Sequence, residues 1–119
     1  MEEKNSELIF QVNSVFGETV TLTQERFENH IINRHPEMKG HENDIQRTIE
    51  KPNAVYKSTR YPESRKVFVR KTNNNEISNY NKVVVEYLTQ QDATIKTTYY
   101  AEDLTGGGEC VYINYDNKL

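Results

Sequence analysis

Thr23-Gln24-Glu25-Arg26-Phe27-Glu28-Asn29-His30-Ile31-Ile32-Asn33-Arg34-His35-Pro36-Glu37 decides how the rest of the chain is read. Thr21 or Thr23 can supply the oxygen that caps a helix, and Thr21 with Gln24 has the spacing of a capping box. Glu25 sits where the helix dipole favours negative charge. Phe27 and Ile31 lie one turn apart and form a core-seeking stripe. Pro36 disfavours helical geometry at His35, so the helix is predicted to end near Arg34. His30 and Arg34 are likewise one turn apart and share a face beside that stripe, at the boundary of core and solvent.

Upstream, Leu8, Phe10 and Val12 alternate with Glu7, Ile9 and Gln11, predicting a strand. Asn13-Ser14 and Gly17-Glu18 carry turn chemistry, and Val20 and Leu22 alternate with Thr19 and Thr21 in a second strand. Downstream, a second helix is predicted near Asn43–Glu50, with Ile45 and Ile49 buried and Lys51-Pro52 ending it. Strands follow at Ala54–Ser58, Arg65–Lys71, Lys82–Thr89, Ala93–Tyr100 and Cys110–Tyr115, with turns at Thr72–Glu76 and Gln90–Asp92. Gly106-Gly107-Gly108 reads as a flexible connector, since it lacks the Lys-Ser/Thr that completes a phosphate loop. The whole predicts an α+β fold: short N-terminal strands and two helices packed on a curved antiparallel sheet of about four strands.

The 119 residues suit one domain spanning 1–119, and a hydrophobic fraction of 34% predicts a modest core helped by eight tyrosines and four phenylalanines. The single cysteine, Cys110, has no partner in the chain for a disulfide. No apolar run is long enough to cross a bilayer, so no membrane partner is expected. The charged start Met1-Glu2-Glu3-Lys4-Asn5-Ser6-Glu7 lacks the apolar stretch of a signal peptide, which points to the cytoplasm. A net charge of −3 argues mildly against a bulk electrostatic grip on nucleic acid. The distribution is uneven, however: Lys57, Arg60, Arg65, Lys66, Arg70 and Lys71 cluster with only Glu63 opposing them.

Three constellations can carry chemistry. His30, Arg34 and His35 offer proton transfer near neutral pH and a guanidinium that holds two phosphate oxygens. On the strand Thr94–Tyr100, Thr97 and Tyr99 point one way while Lys96, Thr98 and Tyr100 point the other. Arg65 and Arg70 are five apart, so only one of them can line a given cleft. A metal site built from His30, His35, His41 and Glu37 is the rival, but the spacing matches neither the zinc-protease helix nor a zinc finger.

With these residues assembled, the chain resembles the barnase–EndoU–colicin–RelE-like (BECR) nucleases, in particular their phage-associated branch. The stretch Thr23 to Glu37 is similar to their helix ending in His-Ile-x-x-Arg-His-Pro-Glu. Ile49 to Tyr56, with Pro52 and Val55, resembles their short helix and Pro-led strand. Arg65 to Tyr99 resembles their paired strands ending in Ile-x-Thr-x-Tyr. Together these run from roughly Gly17 to Tyr100, most of the chain. The resemblance implies metal-independent RNA cleavage with no cofactor, in a toxin or phage effector often neutralised by an immunity or antitoxin protein. It implies His30 and His35 as the helix-borne polar residues, Arg65 as the basic strand residue and Thr97 as the late-strand hydroxyl, with Tyr99 two positions on and Thr98 as the alternative register. Arg34 joins the catalytic set by its place beside His30, and Arg70, Thr98 and Tyr99 are expected to bind substrate. Two other readings stay open: a non-catalytic RNA- or protein-binding module on the same scaffold, and a structural or inhibitory protein that meets its partner through a sheet edge.

Overall fold

Apolar and β-branched segments, most of them alternating with polar residues, give seven strands among the described residues, and all seven join one mixed sheet. The computed structural model describes residues 7–72, 80–105 and 107–114. The strands are β1 (Leu8–Asn13), β2 (Thr19–Thr23), β3 (Ala54–Lys57), β4 (Arg65–Lys71), β5 (Tyr80–Tyr87), β6 (Asp92–Ala101) and β7 (Cys110–Ile113), in the spatial order β1-β2-β6-β5-β4-β3-β7. The α+β class agrees with the sequence reading, but the sheet is larger than four strands and not wholly antiparallel. The hairpin β1–β2 adds to it because Thr19–Thr21 pair in parallel with Asp92–Thr94 of β6. A lone hairpin is marginal in water, and the backbone groups on the edge of β6 need partners. Such long-range pairing leaves no local mark in a sequence.

Helix α1 spans residues 24–34 and contains a surprise. Gln24–Arg26 and Ile32–Arg34 are α-helical, but Phe27–Ile31 form a π turn in which the Ile32 N–H donates to the Phe27 carbonyl. Thr23 is the N-cap, accepting from the Arg26 N–H at 3.2 Å, so the Thr21 box does not form. Thr21 stays in β2, where its hydroxyl accepts from the Gln11 amide at 3.2 Å. A single-turn 3-10 segment at Pro36–Met38 follows, then helix α2 at Glu42–Glu50.

The helices cover one face of the sheet. Phe27, Ile31, Met38, Ile45 and Ile49 pack there with Val55, Phe68, Val83, Val85 and Ile95. Helix α2 is also tied down by a buried polar network. Asp44 accepts from Arg70 Nη2 at 3.1 Å and from the Tyr100 hydroxyl at 2.6 Å. Thr48 donates to Asn81 Oδ1 at 2.8 Å, and Asn81 Nδ2 donates to Thr98 Oγ1 at 2.9 Å. Each buried polar atom named here has a partner, which is what makes burying it tolerable.

The opposite face is half covered. The chain between β6 and β7 crosses it, because Lys82 on that face bonds both Asp103 Oδ1, at 2.7 Å, and the Thr105 carbonyl. The crossover lands at β3, where the Lys57 N–H donates to the Glu109 carbonyl at 2.8 Å. Gly107 and Gly108 are therefore packed rather than a flexible connector: a Cβ on Gly108 would sit 2.1 Å from the Lys57 carbonyl oxygen. Gly106, the turn expected over Asn73–Glu76, Tyr115 and the stretch Met1–Ser6 lie outside the described residues. Strand β5 ends at Tyr87, two residues before the predicted Thr89, because the Leu88 and Thr89 N–H groups both turn onto the Asp92 carbonyl.

Two outcomes test this account of the crossover. Gly108→Ala forces backbone apart and is expected to destabilise the fold by about 2 kcal/mol, seen as a lower denaturant midpoint with unchanged slope. The Asp103 carboxyl is held below its usual range by the hydrogen bond from Lys82 and then by the lysine's charge. A lowered carboxyl pKa contributes stability above its ordinary value and loses it as the pH falls through the lowered one. Acid unfolding of Asp103→Asn is therefore expected to show a shallower stability loss below about pH 4 than the parent.

Candidate functional site

A cleft forms because β2 leaves β6 early. Their pairing stops at Thr21 and Thr94, and helix α1 then runs beside the vacated edge of β6. The helix straddles that edge. Phe27 and Ile31 drop into the core on one side. On the other, His30, Arg34, His35 and also Arg26 meet Arg65, Val84, Lys96 and Thr97 around a cavity of about 340 Å³.

The sheet residues reach the cavity through register. Residues directly opposite one another on paired strands share a face. Val67 pairs with Val84 and Val84 with Thr97, giving one row; Arg65 pairs with Glu86 and Glu86 with Thr94, giving the next row on the same face. Between Thr97 and Ile95 the register jumps, which leaves Lys96 as the extra residue of a bulge. A bulge re-aims side chains. Lys96 consequently lines the cleft beside Thr97 instead of pointing away from it.

Five of the expected catalytic residues thus come together: His30, Arg34, His35, Arg65 and Thr97. Tyr99 is the next residue along that face, and its ring stacks on His35 with centroids 5.3 Å apart and 29° between planes. The other two expected substrate contacts lie elsewhere. Arg70 faces helix α2 and is ion-paired to Asp44, as the five-residue offset from Arg65 requires once Arg65 takes the cleft. Burial of Arg70 lowers its pKa first, with Asp44 opposing that shift. Thr98 is fully buried and spent on Asn81, because the bulge leaves it on the core face.

Three contributors escaped the sequence reading. Arg26 precedes the π turn and is carried toward the cleft by helix geometry. Lys96 depends on the bulge. Glu86 stands between two cations, 3.5 Å from Arg65 Nη2 and 3.5 Å from Lys96 Nζ. Its only sequence signal is its place in β5, which becomes informative once the partner of Arg65 is known.

The electrostatics are one-sided. The cavity wall holds three guanidinium groups, one ammonium and two imidazoles, with no carboxylate among its lining residues. Glu25 lies 3.1 Å from Nε2 of His30, and Glu37 lies 3.7 Å from Nδ1 of His35. Residues five apart on a regular α-helix diverge by roughly 140°, so the wide turn is what lets Glu25 reach His30. Arg65 rests its guanidinium over the Tyr61 ring at 4.3 Å. Its Nε is buried without a hydrogen-bond partner among the described residues. A buried donor of a charged group without an acceptor is costly, and an anion seated in the cleft would supply one. Among the described residues no three or more His, Cys, Asp or Glu side chains gather as a metal site. His41 instead lies against Tyr100 and Asp44, away from His30 and His35.

No protein-family model, curated protein or solved structure matches the chain.

If Glu86 restrains Arg65 and Lys96, removing its charge should free them for an anion. Glu86→Gln is expected to tighten inorganic phosphate binding about fivefold, the worth of a part-exposed ion pair, in a titration followed by NMR.

Proposed function

We propose that the chain is a metal-independent endoribonuclease that uses the ribose 2′-hydroxyl of its RNA substrate as the nucleophile. The observation that carries this is the convergence of two imidazoles, three guanidinium groups, an ammonium and a threonine hydroxyl on one open cleft. The resemblance to BECR nucleases implies four of these residues, His30, His35, Arg65 and Thr97.

The chemistry needs four things. One histidine takes the proton from the 2′-hydroxyl as its oxygen attacks the adjacent phosphorus. The other gives a proton to the departing 5′-oxygen, leaving a 2′,3′-cyclic phosphate. Arg34, Arg65 and Lys96 stabilise the negative charge that builds on the phosphorane oxygens. Thr97 donates a hydrogen bond to one of those oxygens or fixes the imidazole beside it. Each proton transfer is worth ~10²–10⁴-fold. Tyr99, stacked on His35, positions that ring rather than touching substrate. The substrate supplies the nucleophile, so the scheme calls for neither metal nor cofactor. DNA lacks the nucleophile and would be bound without being cut.

The wider role follows the resemblance: a toxin or phage effector acting in the cytoplasm, where RNA is met, and held in check by an immunity or antitoxin protein. A partner that presents carboxylates to the cleft would suit its charge.

Purified protein incubated with single-stranded RNA in EDTA is expected to cut it. His30→Ala, His35→Ala and Arg65→Ala should each lower kcat by at least ~10²-fold with the fold intact by circular dichroism. Absence of cleavage where a control ribonuclease cuts would sink the reading. RNA binding that survives His30→Ala without any cleavage by the parent would favour the binding module instead.

A further inference from the structure

A second cavity, of about 450 Å³, opens at the end of the sheet beside the cleft, and the two share one residue, Arg65. Its walls come from the loop before β4 and the turn after β5. Those segments are tied to each other where the Tyr87 N–H donates to the Ser64 carbonyl at 2.8 Å, and the loop before β4 is closed on itself by the Arg65 N–H donating to the Tyr61 carbonyl at 2.9 Å. Backbone hydrogen bonds thus define two of the cavity's walls.

Its chemistry differs from that of the cleft. At one wall the carboxylate of Glu18, which is only 9% exposed, accepts from the Tyr87 hydroxyl at 2.6 Å and lies 3.8 Å from Lys66 Nζ. Lys66 also sits 4.7 Å from the centroid of the Tyr87 ring. Among the described residues its hydrogen bond is to the Tyr87 hydroxyl, long at 3.5 Å, and an ammonium carries three donors. Glu18 and Glu63 balance Lys66 and Arg65, so this cavity lacks the cationic excess that would draw a second phosphate. Leu88 stands 68% exposed at its wall. An apolar plate, a wall of donors and acceptors and near-neutral charge together suit a flat, uncharged, hydrogen-bonding ring.

We propose that this cavity is a nucleobase subsite, which takes the base of a nucleotide adjoining the phosphate that Arg65 holds in the cleft. The inference rests on the ribonuclease reading for its phosphate and adds to it a demand for an unpaired base. Arg65 is then the hinge of recognition: its guanidinium faces the phosphate on one side and borders the base on the other. A paired base in a duplex has its edge engaged and its faces stacked, so duplex RNA would be refused.

The probes are a ribotrinucleotide with 2′-O-methyl groups, which cannot be cut, three versions of it each abasic at one position, and inorganic phosphate. One abasic version is expected to bind on the order of tenfold more weakly than the parent, the worth of one stacked base. The parent trinucleotide, but not phosphate, should shift the amide signals of Ser64, Leu88 and Gln90. Leu88→Ser, at an exposed position that the fold does not need, should reduce the abasic penalty while leaving phosphate affinity unchanged. Abasic versions that all bind as tightly as the parent, or amide shifts confined to the cleft, would overturn the subsite and leave the ribonuclease reading standing. Failure of both the trinucleotide and phosphate to bind would overturn both.

Discussion

The short parallel contact between β2 and β6 is the constraint on which the rest of the molecule depends. It holds for three residues, Thr19–Thr21 against Asp92–Thr94, and then stops. Had it continued, β6 would have had strands on both sides along its length and the helix would have been pushed onto one face. Because it stops, the helix fills the edge and looks both ways. Phe27 and Ile31, at 4% and 0% exposure, anchor it in the core, and burying each contributes roughly 2 kcal/mol. That anchorage fixes the polar end without using any of its polar groups. His30, Arg34 and His35 can thus face the sheet, held there by the apolar stripe and trimmed by Glu25 and Glu37 beside the two imidazoles.

The two polar clusters of the protein show the same residue types put to opposite uses. Around Asp44, the arginine, tyrosine, threonine and asparagine side chains are matched donor to acceptor, and the result is a clamp between helix α2 and the sheet. The phenol of Tyr100 is pushed far above its usual range by burial and by the Asp44 carboxylate it donates to, so it stays a neutral donor across the physiological range. Around Arg65 the matching is incomplete: among the described residues Nε has no acceptor, and one carboxylate, Glu86, is shared by two cations. A folded chain tolerates one unmatched buried donor where the rest of its group is compensated, as Glu86 and the Tyr61 ring compensate this guanidinium.

This contrast also explains what could be read in advance. The helix, its Phe27–Ile31 stripe, its stop at Pro36 and the alternation of the strands are local properties, and they were legible. The pairing of His30 with Arg34 followed from helix spacing alone. Alternation showed that only one of Arg65 and Arg70 could line a cleft, but not which, since that choice depends on which face helix α2 covers. The doubled threonine at Thr97-Thr98 left two registers open, and the bulge at Lys96 decides between them. The π turn, the bulge, the crossover beneath which Lys82 is buried, and the position of Glu86 all arise from contacts between distant segments. None of them has a period to detect.

The open face of the sheet divides stability from function along a line the topology draws. From Lys82 across to β3 it lies under the crossover, where Val69 and Ala54 are fully buried and Lys82 is 7% exposed. From Val84 across to the helix it is bare, and there the side chains turn to arginine, lysine, histidine and threonine. The same strands serve both halves: β5 carries Lys82 under the strap and Val84 on the cleft floor two residues later. A shift of the strap by one residue would therefore either expose apolar surface or close the cleft. Gly108, pressed against the backbone of Lys57, lets the strap come down onto β3, where a side chain would hold it off.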